Sequence, residues 1–175
     1  MDILVVLEDN RGSLHRMSKE AIAGAQKMGG SISALAIGSN ADALAAELSG
    51  IDLTEVITVS HDFVSSYNAD GYSDVVSQVI KSESPKTIVA GHSYQTRDFM
   101  PRVSAKLDIP FIPDIISMDD GIVKQVLNAK LNGSCSTSIE QMILSFQSAT
   151  FSDEDMARGS CLPRSIEVNL DSSIV

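Results

Sequence analysis

Short apolar runs alternate with longer amphipathic stretches through the first half of the chain. Each short run is continuous, which is typical of a parallel strand buried on both faces. In the longer stretches the apolar residues recur at helical spacing, as at Met17, Ala21, Ala25 and Met28. The short runs predict four strands: Ile3–Leu7, Ser31–Gly38, Glu55–Ser60 and Lys86–Gly91.

Cap and stop residues mark the helices between these strands. Ser13 is a candidate N-cap for the first helix, which the Gly29–Gly30 pair ends, and Asn40 is a candidate N-cap for the second. A third helix precedes the fourth strand, and a fourth is predicted over Phe99–Leu107, with Pro101 tolerated in its first turn. Alternation with such short connections predicts right-handed crossovers and a doubly wound, mostly parallel α/β sheet.

The pattern changes after Pro110. Residues 111–121 form a short strand that ends in a turn, and residues 122–147 lack a strong helical period. The second stretch predicts two or three antiparallel strands with a turn at Asn132–Gly133, and Ser165–Leu170 alternates as a last strand would. We expect a single domain, with a parallel α/β core over residues 1–118 and a β-rich extension over residues 119–175.

Composition limits the classes of function. The chain has 175 residues, of which 43% are hydrophobic, and a formal net charge of −10, so we expect a folded domain without a wide nucleic-acid footprint. No apolar run approaches the roughly 20 residues of a membrane span, and the N-terminus is typical of a strand, so a cytoplasmic protein is expected. We expect Cys135 and Cys161 to be free thiols, and the scattered His15, His61 and His92 predict no metal site.

The loop after the fourth strand carries the first candidate chemistry. In doubly wound sheets, ligands bind beyond the carboxyl ends of strands. Gly91 would allow a sharp turn, Ser93 and Thr96 offer hydroxyl groups, and Arg97 offers a cationic fork suited to a phosphate or carboxylate. The same residues also fit a solvated loop in which Thr96 or Asp98 caps the helix and Arg97 pairs with an acid.

No catalytic residue is predicted. His92 and Ser93 lie beside each other, but the second glycine of a nucleophile elbow is missing. The loop after the first strand contains Glu8 and Gly12, and Gly12 would allow close backbone approach to a ligand. This loop has neither the dinucleotide fingerprint nor a P-loop, so it also fits a simple polar connection.

The segment "AGHSYQTRDFMPRVSAKLDIPFIPDI" resembles a segment of electron transfer flavoprotein alpha subunits. The opening strand and helix, and the hairpin region aligned either on Asn132–Gly133 or on Asn128–Ala129, are also similar to that family. The similarity extends over Ile3–Phe151, and Thr96 stands where the family has a glycine. The matching positions in the segment are Arg97, Asp98, Pro101, Arg102, Val103, Ala105, Lys106, Leu107, Asp114 and Ile115.

The resemblance implies the N-terminal domain of such a subunit, with an adenine nucleotide alpha-hydrolase-like fold. Members of the family pair with a beta subunit, carry FAD, and pass electrons from dehydrogenases to a membrane-linked acceptor. Most flavin contacts in the family come from a second domain, which we do not expect in these 175 residues.

Three functions follow as expectations. The first is a docking or assembly module for a flavoprotein complex, with a beta-subunit-like protein as partner and a dehydrogenase as a further one. The second is a stand-alone adenine-nucleotide module that binds AMP or ATP, and the third is a non-catalytic interaction protein that forms a self-dimer. The residues expected to contact a nucleotide or flavin are Glu8, Gly12, Gly91, His92, Ser93, Thr96 and Arg97.

Overall fold

The computed structural model of the chain describes residues 1–119 and 121–171. The helices in this part are α1 Arg16–Met28, α2 Ala41–Glu47, α3 Ala69–Glu83 and α4 Tyr94–Leu107, with short 3-10 helices at Asp62–Val64 and Asp153–Asp155. The strands are β1 Ile3–Val6, β2 Asp9–Asn10, β3 Ser13–Leu14, β4 Ile32–Ile37, β5 Glu55–Val59, β6 Thr87–Gly91, β7 Phe111–Ser117, β8 Ile122–Val126, β9 Leu131–Cys135, β10 Met142–Phe146 and β11 Pro163–Ser165.

The main sheet has the strand order β11-β5-β4-β1-β6-β10-β7-β8-β9. Every pairing from β11 to β7 is parallel, and β7-β8-β9 is antiparallel. The predicted α/β class, with a mostly parallel sheet and an antiparallel extension, is confirmed. The chain moves outward from β1 to β5 and then returns to β6 on the other side of β1. The β1/β6 boundary is therefore the switch point at which such sheets bind ligands.

Helices cover both faces of the parallel part. Alternate residues of β1 point to opposite faces: Val5 joins the core under α1 and α2, whereas Leu4 joins the core under α3 and α4. Both residues are completely buried, which explains why the strand has a continuous apolar run. No helix in the described ranges has the length and apolar character needed to cross a bilayer.

Strand β10 corrects the predicted antiparallel arrangement of residues 122–147. It inserts between β6 and β7 and runs parallel to both. Its Ile143 and Leu144 are completely buried, one toward each face. A strand that buries both faces belongs inside a parallel sheet, so residues assigned to the extension complete the core instead.

The predicted turn at Asn132–Gly133 is wrong. These two residues lie within β9, opposite Gln125 and Lys124 of β8. The chain reverses at residues 127–130, where Leu127 has a φ of 53°. Pairing with β8 therefore overrides the local turn preference of an Asn-Gly dipeptide.

Two predicted helix starts are also wrong. Ser13 lies in β3, and α1 is capped by His15, whose Nδ1 accepts the Met17 N–H at 3.2 Å. Helix α4 begins at Tyr94 and not at Phe99, because its cap is Ser93, six residues before Phe99. Pro101 consequently lies inside the helix, where it cannot donate to the carbonyl of the preceding turn.

The C-terminal segment, residues 147–171, wraps around one edge of the sheet. It first lies on α1, where Gln26 exchanges hydrogen bonds with the backbone of Ala157, and it then adds β11 beside β5. It ends on the opposite face, where Gln78 exchanges two hydrogen bonds with Asn169. The predicted strand Ser165–Leu170 is thus displaced, because the sheet pairing covers only residues 163–165.

Candidate functional site

The predicted site residues do not form one pocket. Glu8, His92, Ser93 and Arg97 line a cavity of about 360 Å³ at the carboxyl ends of β1, β6 and β10, here called the His92 cavity. A separate cleft of about 330 Å³, here called the Gly38 cleft, lies toward β4 and β5. Both lie at the sheet edge where a doubly wound fold places ligands.

His92 is held firmly in its cavity. Its backbone N–H donates to the Phe146 carbonyl at 2.8 Å, and its Nδ1 lies 2.8 Å from the Ser145 hydroxyl. Ser145 is completely buried, and its Oγ accepts the Asp114 N–H at 3.3 Å. In the tautomer in which Ser145 donates its hydroxyl proton to His92 Nδ1, the imidazole proton lies at Nε2.

The charge state of His92 follows from this network. Burial lowers the pKa of His92 below its usual 6.5, and the charges of Arg97 and Lys124 lower it further against the opposing effect of Asp114. Asp114 Oδ1 lies 3.9 Å from His92 Nε2, which is too far for a hydrogen bond. In the tautomer that accepts the Ser145 proton at Nδ1, the neutral imidazole presents its Nε2 N–H to an acceptor atom.

Ser145, His92 and Asp114 combine the residue types of a catalytic triad, but their geometry does not fit one. The Ser145 hydroxyl is fully buried, so a substrate cannot reach it. Ser145 acts by orienting His92 and by satisfying the backbone N–H of Asp114. The arrangement can bind an acceptor, and it lacks an exposed serine nucleophile.

Arg97 and Tyr94 form the outer wall of the His92 cavity. The guanidinium carbon of Arg97 lies 5.4 Å from the centre of the Tyr94 ring, and Tyr94 is 88% exposed. Within residues 1–119 and 121–171 no ion pair of Arg97 is seen, which differs from the predicted alternative of an acid-paired arginine. The guanidinium can therefore contact an anion or a partner protein.

Ser93 caps α4, and Thr96 lies in the first turn of that helix. The Ser93 Oγ accepts the Thr96 N–H at 3.0 Å, and the two hydroxyl groups lie 3.3 Å apart. Thr96 is buried and does not line the cavity. Ser93, and not Thr96, is thus the cap, because its extended backbone lets its side chain reach back to the first turn.

The two candidate glycines have different roles from each other. Gly12 follows Arg11 in the two-residue turn between β2 and β3, and both have positive φ, as a type I′ hairpin requires. Gly91 has an ordinary strand conformation and does not make the predicted sharp turn. A Cβ at Gly91 would lie 2.6 Å from Met17 Cβ, so this glycine allows α1 to approach β6.

Three polar side chains of the Gly38 cleft are held by hydrogen bonds within the domain. The Asp9 carboxylate accepts hydrogen bonds from Gly12 N–H and Asn40 Nδ2, and the Tyr72 hydroxyl donates to the Ile37 carbonyl. Burial raises the pKa of Tyr72 to about 12, with smaller contributions from nearby carboxylates. These contacts hold the Asp9, Asn40 and Tyr72 side chains of the cleft in place.

Sequence reasoning missed two residues that shape the His92 cavity. Ser145 could have been noticed as a polar residue in the apolar run "MILSF". Glu20 is a buried carboxylate whose Oε2 accepts the Ala149 N–H at 2.9 Å and whose Oε1 lies 2.8 Å from Arg16 Nε. It holds the loop after β10, which contributes Gln147 to the cavity wall.

We expect acid to destabilise the protein through His92, and the variant His92→Gln to reduce that effect. The pKa of His92 in the folded protein lies below 6.5, the usual value for an unfolded chain. Between these two pH values the unfolded chain binds more protons than the folded one, so the free energy of unfolding falls as the pH drops through this range. The loss is about 1.4 kcal/mol for each unit of pKa difference. Urea titrations of both proteins at several pH values measure this loss in the free energy of unfolding. NMR titration of the His92 imidazole shows whether this residue causes it, and a pKa of His92 above 6.5 in the folded protein contradicts the prediction.

Comparison with known proteins agrees with this architecture. The electron transfer flavoprotein domain matches residues 3–138. An electron transfer flavoprotein subunit alpha from Bacillus subtilis is 31% identical over 118 residues, covering 66% of this chain and 36% of the relative. The corresponding alpha subunit from Syntrophomonas wolfei is 25% identical over 115 residues, covering 66% of this chain and 36% of the relative.

A third relative is named as an electron transfer subunit of a reductase and not as an electron transfer flavoprotein alpha subunit. The acryloyl-CoA reductase electron transfer subunit beta from Anaerotignum propionicum is 29% identical over 129 residues, covering 71% of this chain and 35% of that protein. The chain spans about a third of the length of these curated relatives. From its sheet topology and these similarities, the chain belongs to the electron transfer flavoprotein family and is like the N-terminal domain of an alpha subunit.

Proposed function

We propose that this chain acts as a docking and assembly module of an electron transfer flavoprotein complex, with a beta-type subunit as its partner. The match of the family domain to residues 3–138 carries the proposal, because it includes seven of the nine strands of the main sheet, the β8–β9 hairpin among them. The similarity to proteins named as subunits supports a role within a larger assembly.

In this proposal, the flavin is held mainly by other parts of the complex. The loop after β1 is a tight hairpin without the glycine pattern that cradles a dinucleotide pyrophosphate. Of the residues expected to contact a nucleotide or flavin, only Glu8, His92, Ser93 and Arg97 share a cavity. We propose that any contact this domain makes with a cofactor uses these four residues and not Gly12, Gly91 or Thr96.

Co-expression with an electron transfer flavoprotein beta subunit tests the docking role. We expect the two chains to elute together in size-exclusion chromatography, and the isolated chain to lack the visible absorption bands of bound flavin. Native mass spectrometry of both samples gives the stoichiometry. An isolated chain that carries one FAD per molecule, or a failure of the two chains to associate, contradicts the proposal.

A further inference from the structure

The His92 cavity brings together polar side chains from separate segments of the chain. Glu8 follows β1, Arg97 lies at the start of α4, and Asp114 lies on β7. In the ranges that the structure describes, neither the Glu8 carboxylate nor the Arg97 guanidinium has a hydrogen bond or an ion pair. Polar groups that converge on a cavity without partners of their own are available to a ligand.

A bulge in β7 turns Asp114 toward this cavity. Two residues of β7, Pro113 and Asp114, stand opposite the single residue Ser145 of β10. Asp114 has a φ of 63°, which is uncommon for a residue other than glycine, and its N–H donates to the Ser145 Oγ. A bulge re-aims the side chain that it carries, and this one places Asp114 Oδ1 3.9 Å from His92 Nε2.

The gap between His92 and Asp114 fits one hydroxyl group. The two facing atoms are too far apart to bond each other, but they are closer than two hydrogen-bond lengths. A hydroxyl oxygen between them accepts the Nε2 N–H, in the tautomer in which Ser145 donates to Nδ1, and gives its own proton to the Asp114 carboxylate. A carbonyl oxygen has no proton to give and leaves that carboxylate without a donor.

Arg97 offers the second contact. A guanidinium binds a carboxylate through two parallel hydrogen bonds, and the charge of Arg97 also acts on His92, so a short ligand can reach both groups. Arg97 is the single arginine or lysine among the described residues that line the cavity, whereas Glu8 and Asp114 both face it. A ligand with one negative charge therefore fits better than a phosphate, whose second charge would meet these carboxylates.

We propose that the His92 cavity binds a small 2-hydroxy acid, with its hydroxyl group between His92 and Asp114 and its carboxylate on Arg97. Met17 and Tyr94 line the same cavity and offer apolar surface to a short carbon chain. All of these residues belong to this chain, so the inference goes beyond the docking role and does not depend on a partner subunit.

NMR titration of the chain with 2-hydroxyhexanoate tests this proposal. We expect saturable shifts of the amide signals of His92, Arg97 and Asp114, with a dissociation constant of about 1 mM or less, as expected for a ligand of this size. The ring nitrogen shifts of His92 should report a proton at Nε2 in the bound state. Hexanoate lacks only the hydroxyl group and should bind at least about tenfold more weakly, because His92 and Asp114 then stay unpaired.

Two variants test the two contacts separately. Arg97→Gln should weaken binding of both acids by at least about tenfold, because it removes the charge that holds the carboxylate. Asp114→Asn keeps a residue that tolerates the left-handed backbone, and it should reduce the preference for 2-hydroxyhexanoate over hexanoate. The control is Arg158→Gln, the same substitution at an exposed arginine outside the cavity, where both dissociation constants should stay within about twofold.

The outcomes separate this inference from the proposed function. Equal binding of the two acids to the unmodified chain, or shifts that do not saturate, overturn the inference without any variant. Binding that survives in Arg97→Gln, or that falls equally in Arg158→Gln, overturns the placement of the carboxylate. Circular dichroism verifies that each variant is folded. Association with a beta subunit is measured on its own, so the docking role can stand where this inference fails.

Discussion

Replacing Gly91 with alanine should lower the free energy of unfolding by about 3 kcal/mol. A Cβ at this position would lie 2.6 Å from Met17 Cβ and 2.9 Å from the Met17 carbonyl oxygen. The oxygen belongs to the backbone of α1, so no change of rotamer relieves the contact. Helix α1 would have to move away from β6, and urea unfolding followed by circular dichroism measures the cost.

Gly50→Ala is the matched control for this prediction. A Cβ at Gly50 meets no atom within 4 Å, and its φ is not positive. The control should therefore change the free energy of unfolding by no more than about 0.5 kcal/mol. Equal stability of the two variants would show that α1 and β6 are not packed as closely as described.

The second large effect is expected from Phe146→Ala, which should cost about 3–5 kcal/mol. Phe146 is 1% exposed, and its ring packs edge-on against Phe151 at a centroid distance of 4.7 Å. Gly24 of α1 lies against the same two rings, where a Cβ would approach within 2.6 Å of each. Removing the Phe146 ring leaves a cavity between α1, β10 and the C-terminal segment.

Phe146→Leu is the control, because it keeps most of the apolar volume and should cost markedly less than the alanine variant. Hydrogen–deuterium exchange should show faster exchange of the Ala149 amide, which donates to Glu20 in the loop after β10, in Phe146→Ala. A loss below about 1 kcal/mol in Phe146→Ala would mean that the segment is not anchored by this pair.

Local patterns were sufficient for the elements of the parallel core. The run Ile3–Val6 is a strand buried on both faces, and continuous burial leaves a signal that neighbouring residues alone reveal. Helix positions were also predictable, but their starts were less so. The Ser93 cap of α4 and the His15 cap of α1 depend on backbone conformations that the residue types do not specify.

Strand order in the second half could not be read from the sequence. The run Met142–Phe146 is apolar whether it joins an antiparallel hairpin or enters a parallel sheet. Its position between β6 and β7 is decided by the two core layers it completes. The Asn132–Gly133 pair shows the same limit, since a turn preference of the dipeptide is weaker than the register of the β8–β9 ladder.

The sequence by itself determined the α/β class, the buried strands of the core and the similarity to electron transfer flavoprotein alpha subunits, because each is encoded by neighbouring residues. The tertiary structure alone decided which candidate residues share a cavity and that a bulge turns Asp114 toward it. His92 is bound to Ser145, 53 positions away, and the bulge at Asp114 stands opposite the same serine. Contacts between distant segments are set by how the whole core is buried, and no local pattern records them.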